Sequence, residues 1–336
     1  MIIQLYNHTT PEQIEKIQHK VAQVKFKSTL VKTQNKQYLV CLGKGEFDIR
    51  HIGQTEGIED IFRVSDNYKL VSSKWKVNPT IIDLGDGVTV GADGLSIMAG
   101  PCSIEDEDQI EQTIQHLKEN NVSIMRGGVY KPRSSPYSFR GHGLDMLKKW
   151  HSMARKENIK IITEVMQPSQ IEEMYDYVDI YQVGARNTQN FNLLDELGKV
   201  DKPVLIKRGI SGTIEELLSS AEYIFSAGNE KLILCERGIR TYENASRNTM
   251  DINAIPILKE KSHLPVIADP SHGIGIRKHV EDVSLACIMG GADGVIYETH
   301  PIPTQAASDG QQTLDFSEST RLISRLRKTY DLKKSF

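Results

Sequence analysis

Val122-Ser-Ile-Met-Arg-Gly-Gly-Val-Tyr-Lys-Pro-Arg-Ser-Ser-Pro-Tyr-Ser-Phe139 is the stretch on which the reading of the fold turns. Its first residues, Val122 to Met125, form a short apolar run that reads as a buried strand. The strand ends on Arg126, and a loop rich in glycine and proline then presents Lys131, Arg133, Ser134 and Ser135. Proline fixes the loop's shape, and glycine lets backbone approach a ligand closely. Guanidinium groups and hydroxyls are the donors that grip phosphate, often two bonds at a time. A solvated basic loop is the plain alternative. It loses ground because similar strand ends recur along the chain.

From residue 96 onward apolar strand candidates fall at Ser96–Ala99, Val122–Met125, Lys160–Val165, Ile180–Val183, Val204–Lys207, Leu232–Cys235, Val266–Ala268 and Gly294–Tyr297. Amphipathic stretches separate them, among them Asp106–Asn120, Gly143–Glu157, Thr213–Ala227 and Arg277–Met289, and a last helix is expected over Ser317–Lys328. Eight strand–helix units in a row imply a parallel sheet, and eight close naturally into a (β/α)8 TIM barrel. An open doubly wound sheet is the structural alternative. It would normally carry a Gly-x-Gly-x-x-Gly turn after its first strand, and none is present.

The first seventy residues follow a different rhythm: strand (Ile2–Leu5), helix (Pro11–Val24), strand (Lys27–Thr33), strand (Gln37–Leu42), helix (about His51–Asp60), strand (Ile61–Val64). Thr10 before Pro11 is a good N-cap with proline at the first helical position. The βαββαβ order is that of a small ferredoxin-like sandwich. The division expected is therefore a ferredoxin-like domain at 1–70, linker and hairpin at 71–92, and the barrel at 93–336. Asp66 to Pro79 reads as polar linker, and Thr80 to Gly91 as a hairpin turning at Asp86-Gly87.

The chain of 336 residues has 41 Lys and Arg against 44 Asp and Glu, a net charge of −3, which argues against a general nucleic-acid binder. No apolar run reaches the roughly 18 residues that span a bilayer. The start, Met1 to His8, lacks the layout of a signal peptide. Four scattered cysteines, Cys41, Cys102, Cys235 and Cys287, suit reduced thiols in a cytoplasm, and all but Cys102 fall inside strand or helix candidates as packing residues.

In TIM barrels the active site lies at the C-terminal strand ends. Here those ends carry Cys102, Arg126, Glu164, Ala185-Arg186, Lys207, Arg237, Asp269, His272 and Glu298, with Ser308-Asp309-Gly310 in the last loop. The cations Arg126, Lys131, Arg133, Arg186, Lys207 and Arg237 cannot converge without anions between them. Phosphates and carboxylates supply such anions, and the number of cations implies more than one anionic group. Cys102, His272, Glu298 and Asp309 are the ligand types that hold a divalent transition metal. They lie far apart in sequence, so only barrel closure brings them together. Two alternatives stand beside that reading. Cys102 taken alone is equally a small buried filler. His300 competes with His272; it precedes Pro301 and is expected to point outward.

These motifs together resemble one family. Gly100-Pro-Cys-Ser103, Lys131-Pro-Arg-Ser-Ser-Pro-Tyr-Ser-Phe139, Gly184-Ala-Arg-Asn187, Lys207-Arg-Gly209, Leu234-Cys-Glu-Arg-Gly-Ile-Arg-Thr241, Asp269-Pro-Ser-His272 and Ser308-Asp-Gly310 are similar to those of 3-deoxy-D-arabino-heptulosonate 7-phosphate (DAHP) synthases, in the short-barrel branch with an N-terminal ferredoxin-like domain. The resemblance implies condensation of phosphoenolpyruvate with erythrose 4-phosphate, the first step of the shikimate pathway. It assigns Cys102, His272, Glu298 and Asp309 to a divalent metal (Mn2+, Fe2+, Co2+ or Zn2+). It assigns Arg126, Lys131, Arg186, Lys207 and Arg237 to phosphoenolpyruvate, with Ala185 and Asp269 among the substrate-binding motifs, and Arg133 and Ser134 to the sugar phosphate. Lys131 is the candidate proton donor to the new alkoxide, and Glu164 the candidate orienter of water. The resemblance further implies a cytoplasmic homotetramer. In it, tyrosine or phenylalanine binds between N-terminal domains and closes them over the barrel mouth. Two positions depart from the family pattern: Ile276 stands where the first of two arginines is usual, and Thr299 replaces a valine.

The nearest rival is the sister enzyme, 3-deoxy-D-manno-octulosonate 8-phosphate synthase, which takes arabinose 5-phosphate. Lys131-Pro-Arg133 and Cys102 favour the four-carbon sugar. A Schiff-base aldolase with Lys207 as nucleophile is a second rival. Arg208 directly after Lys207 fits an anion clamp better. A sensor that only binds phosphorylated metabolites has no use for four potential metal ligands.

Overall fold

The computed structural model describes residues 1–44, 48–91, 94–132 and 137–336. Arg133 and Ser134, expected at the sugar phosphate, lie outside the described residues. No helix of the described chain is long and apolar enough to cross a membrane.

Strands β1 (Ile2–Leu5), β2 (Phe26–Lys32), β3 (Gln37–Gly43) and β4 (Ile58–Phe62) form a four-stranded sheet in the order β2-β3-β1-β4, antiparallel throughout. The helix Pro11–Gln23 starts at Thr10, whose hydroxyl accepts from the Gln13 N–H while the Gln13 side chain accepts from the Thr10 N–H. Its apolar stripe of Ile14, Ile17 and Val21 packs on the face of the sheet that carries Ile3, Leu5 and Leu39. Because side chains alternate along a strand, the neighbouring Ile2, Val31 and Tyr38 face the other way and join the barrel's core. The second helix is shorter than its sequence suggests, Arg50–Gly53, and β4 begins at Ile58 rather than Ile61. Pairing decides that boundary: Leu5 is opposite Ile58 and Ile2 opposite Phe62.

The segment read as linker is partly buried. Tyr68, Leu70, Val71 and Trp75 are buried between sheet and barrel. Glu222 accepts the backbone N–H groups of Leu70 and Val71 at 2.9 and 3.0 Å, and Trp75 donates to the Leu70 carbonyl at 2.8 Å. The hairpin β5 (Ile82–Asp83) and β6 (Thr89–Val90) turns where expected, with Asp86 and Gly87 both left-handed at φ 54° and 76°.

The eight remaining strands, β7 (Ser96–Gly100), β8 (Ile124–Gly127), β9 (Lys160–Val165), β10 (Ile180–Val183), β11 (Val204–Lys207), β12 (Leu232–Glu236), β13 (Val266–Ala268) and β14 (Gly294–Glu298), close into a parallel barrel. β14 pairs with β7 in register from Gly294–Ser96 to Glu298–Gly100, which completes the ring. The terminal helix is longer than expected, Phe316–Lys334. Met98, Ile124, Ile162, Ile180, Leu205, Ile233, Ile267 and Ile296 fill the interior, and Ile82 and Val90 of the hairpin close it from below. The small sheet docks near that same end. Gln34 in its β2–β3 turn donates to the Val200 carbonyl at 3.3 Å, and Asn35 donates to Glu230, both in loops that precede barrel strands.

Candidate active site

At the opposite end, where the strands finish, the inward positions change from apolar to charged. Along β11 Leu205 faces the interior and so does Lys207 two residues later; along β12 Ile233 and Cys235 lead to Arg237 in the same way. A cavity of about 170 Å³ opens there. Its wall carries seven cationic side chains, Arg126, Lys131, Arg186, Lys207, Arg237, Arg240 and Arg247, with Glu164, Asp309, Gln182, Asn248, Ala185 and His272 between them. Repulsion among so many cations makes the cavity a receptor for anions.

Glu164 reaches this wall because residue 184 is glycine. A Cβ there would come within 2.0 Å of Glu164 Oε1. Gln182, opposite Glu164 in the ladder, donates to Oε2 at 3.4 Å. Asp269 is buried beside the cavity wall. Lys207 donates to its Oδ2 at 2.5 Å and His272 Nδ1 lies 2.8 Å from the same oxygen. Asp269 therefore ties together a lysine and a histidine of the site.

Beside the cavity, one ligand atom from each of Cys102, Glu298 and Asp309 lies within 4.8 Å of the others. The Cys102 thiol donates to Asp309 Oδ2 at 3.2 Å. His272 stands next to this group, its Nε2 3.5 Å from Glu298 Oε1. His300 is buried but turned elsewhere: its Nδ1 accepts from the Ile302 N–H and its Nε2 faces Glu105 at 3.6 Å. The outward orientation expected for it is thus replaced by a buried one, away from the group. Arg126 Nη1 donates to Glu298 Oε1 at 3.2 Å and to the Pro101 carbonyl at 3.0 Å. Lys131 Nζ donates to the Cys102 carbonyl at 2.8 Å and lies 3.1 Å from its sulfur.

Burial alone raises the pKa of all three acids here, and neighbouring charge reverses the effect. His272 and Lys207 hold Asp269 well below the usual carboxylate range. His272 and Arg126 lower Glu298, and Arg247 and His272 lower Asp309. The Cys102 thiol is pushed up to about 11, first by burial and then by Glu298. A buried thiol facing two ionised carboxylates is a donor set that a divalent cation satisfies, since the cation releases the thiol proton and neutralises the acids. Cys102, Glu298, Asp309 and the adjacent His272 fit such an ion.

Sequence reading did not single out Arg240, Gln182 and Asn248 in the wall, nor two residues that hold the acids. Arg247 donates to Asp309 Oδ1 at 3.2 Å and to Gln312 Oε1 at 2.7 Å. Gln312 donates in turn to Glu298 Oε2 at 2.8 Å. Arg247 follows no apolar run, and Gln312 reads as one more polar residue after Ser308-Asp309-Gly310. Of the two departures, Arg277 without an arginine before it pairs with Asp315 and Glu318, and Thr299 is buried with its hydroxyl on the Leu314 carbonyl.

Residues 76–334 match the family described as the DAHP synthetase I family. Over 332 residues the chain is 43% identical to the phospho-2-dehydro-3-deoxyheptonate aldolase of Thermotoga maritima, which covers 98% of each protein. It also resembles the crystal structure of a phospho-2-dehydro-3-deoxyheptonate aldolase (DAHP synthase) from Thermotoga maritima, with a TM-score of 0.79 at 42% identity, over 98% of this chain and 97% of that one. A 2-dehydro-3-deoxyphosphooctonate aldolase of Francisella tularensis is more distant, 31% identical over 71% of this chain and 92% of its own length.

Proposed function

The chain belongs to the DAHP synthetase I family and is an enzyme of that family, and from that premise we propose that it joins phosphoenolpyruvate, D-erythrose 4-phosphate and water to give DAHP and phosphate. One observation carries the reading: a cavity walled by seven cations opens beside a thiol–carboxylate group. Phosphoenolpyruvate brings a phosphate and a carboxylate, and the sugar brings a second phosphate, which accounts for the excess of positive charge. Arg126, Lys131, Arg186, Lys207 and Arg237 hold the enol substrate, and the Arg133-Ser134 loop holds the sugar phosphate.

Fixing both substrates in one cavity turns a collision into a local step. The methylene carbon of phosphoenolpyruvate forms a bond to the aldehyde carbon. Lys131, whose ammonium lies against Cys102, gives a proton to the resulting alkoxide. Glu164 orients the water that adds at the neighbouring carbon, and phosphate then leaves from that carbon. Cys102, His272, Glu298 and Asp309 would hold a divalent metal, which supplies a Lewis acid for the aldehyde oxygen.

The small sheet, all antiparallel in the order β2-β3-β1-β4, supports a ferredoxin-like domain at residues 1–70, joined through 71–92 to the barrel at 93–336. We assign it feedback control by tyrosine or phenylalanine at the entry to the shikimate pathway, in a cytoplasmic homotetramer. In the single chain its β2–β3 turn docks near the end of the barrel opposite the mouth. Inhibition that persists after removal of residues 1–70 would discard that role.

Phosphate release measured with erythrose 4-phosphate, with arabinose 5-phosphate, and with each after chelation tests the reaction. Turnover of erythrose 4-phosphate that stops on chelation and returns with Mn2+ is expected. Preference for arabinose 5-phosphate transfers the chain to the sister activity. Turnover that survives chelation removes the metal.

A further inference from the structure

Each acidic member of the thiol–carboxylate group has two oxygens, and they are used differently. Asp309 Oδ2 faces the Cys102 thiol, while Oδ1 is held by Arg247. Glu298 Oε1 faces Arg126 and His272, while Oε2 is held by Gln312. The two outer oxygens are linked to each other, because Arg247 Nη1 also donates to Gln312 Oε1 at 2.7 Å. Gln312 is completely buried, so each polar end of its amide needs a partner. Only one orientation of that amide serves both neighbours: nitrogen towards the carboxylate, oxygen towards the guanidinium. The backbone reinforces the arrangement. Asp309 sits in the left-handed region at φ 53°, and its carbonyl accepts from the Gln312 N–H at 3.2 Å and the Thr313 hydroxyl at 2.9 Å.

We propose that Arg247 and Gln312 act as one positioning relay, which fixes the inward oxygens of Glu298 and Asp309 and so sets how tightly and how long a divalent metal is held. The inference rests on the metal reading above and assigns these two residues a task distinct from substrate binding. A carboxylate free to rotate presents either oxygen, or both; one whose outer oxygen is anchored presents a single donor at a fixed place. Outer partners of this kind are worth roughly 10–100-fold in metal affinity. Arg247 lines the anion cavity as well, so its role there must be separated by the readout.

The test uses the full chain stripped of metal and titrated with Co2+, which reports the Cys102 thiolate through its charge-transfer absorption. Chelator competition gives the affinity and chelator-driven release gives the residence time. Gln312→Met keeps the volume and removes both hydrogen bonds. Arg247→Met removes the other half of the relay from a partly exposed position, where folding is not at stake. Each variant is expected to weaken Co2+ binding about 10–100-fold and to speed its release. The thermal midpoint of metal-free Arg247→Met should stay within a degree or two, and the KM of Gln312→Met for phosphoenolpyruvate at saturating metal within a factor of about three, since Gln312 does not line the cavity. The double variant is expected to bind no more weakly than the weaker single, because a relay is broken once. Wild-type Co2+ affinity in both single variants, or losses that multiply in the double, would overturn the relay. Failure of the unaltered chain to bind Co2+ at all would overturn the metal reading and the relay with it.

Discussion

The two ends of the barrel are built from the same eight strands and obey opposite rules. At the lower end the inward side chains are mainly aliphatic, Ile124, Ile162, Ile180 and Ile233 among them, the hairpin seals them with Ile82 and Val90, and a charge there, the buried Lys160, is paired with Asp86 of the hairpin at 2.7 Å. His263, near that end, is kept neutral by burial, with Thr80 2.7 Å from its Nδ1 and the Leu70 carbonyl 2.8 Å from its Nε2. At the upper end the inward side chains are Arg126, Lys207 and Arg237, and the buried acids Asp269 and Glu298 stay ionised among them. The lower end stabilises the fold by removing apolar surface from water. The upper end keeps charges that fold stability alone would not select, since paired buried ions seldom outdo well-packed hydrophobic residues. Where a strand stops being apolar is therefore where the molecule turns from holding itself together to holding something else.

Three substitutions test that division. At the upper end, Lys131→Met should lower kcat by about 10²–10⁴-fold with little change in thermal midpoint, because a proton donor is lost and no core is disturbed. Turnover close to wild type would remove Lys131 from the chemistry. At the lower end, Ile180→Ala should do the reverse: a loss of about 2–5 kcal/mol in denaturant unfolding, with kcat kept below the melting range. A collapse in kcat without a stability change would break the comparison. The smallest effect concerns His263, whose pKa is pulled from the ordinary 6.5 to about 3, chiefly by burial and then by Lys76. The folded value lies below the unfolded one, so the unfolded chain takes up the proton first. Its contribution is complete above about pH 6.5 and is lost as pH falls towards 3. At pH 5 that amounts to about 2 kcal/mol. His263→Gln should be less stable at pH 7 yet lose less between pH 7 and pH 5, as read from urea midpoints at both values.

Much of the barrel was legible because its strands are short, largely apolar runs between amphipathic helices. Ile180–Val183 and Val204–Lys207 were bounded to the residue, since each run is buried on both faces and stops at a glycine or a charge. β8 was placed early, at Val122 instead of Ile124, because its start is set by pairing with Met98 and not by composition. The burial within 66–79 was not legible for a related reason. Tyr68, Leu70, Val71 and Trp75 show no helical or strand period, and only their docking between sheet and barrel reveals them as core. In the site, the sequence reading named residues that end an apolar run and passed over Arg247 and Gln312, whose side-chain bonds to Asp309 and Glu298 leave no local pattern.

The sequence by itself determined the rhythm of eight strands and the chemical character of each strand end, because burial and polarity are properties of consecutive residues. Only the tertiary structure decided which ends meet. Cys102 and Asp309 are 207 residues apart, and their contact exists because β14 pairs with β7 and closes the ring. The tertiary fold also decided that Asp269 meets Lys207, 62 residues away, and that Gln312 lies between Glu298 and Arg247. Those relations depend on which oxygen of a carboxylate is free. That is a matter of directions in space, which the order of residues along a chain does not carry.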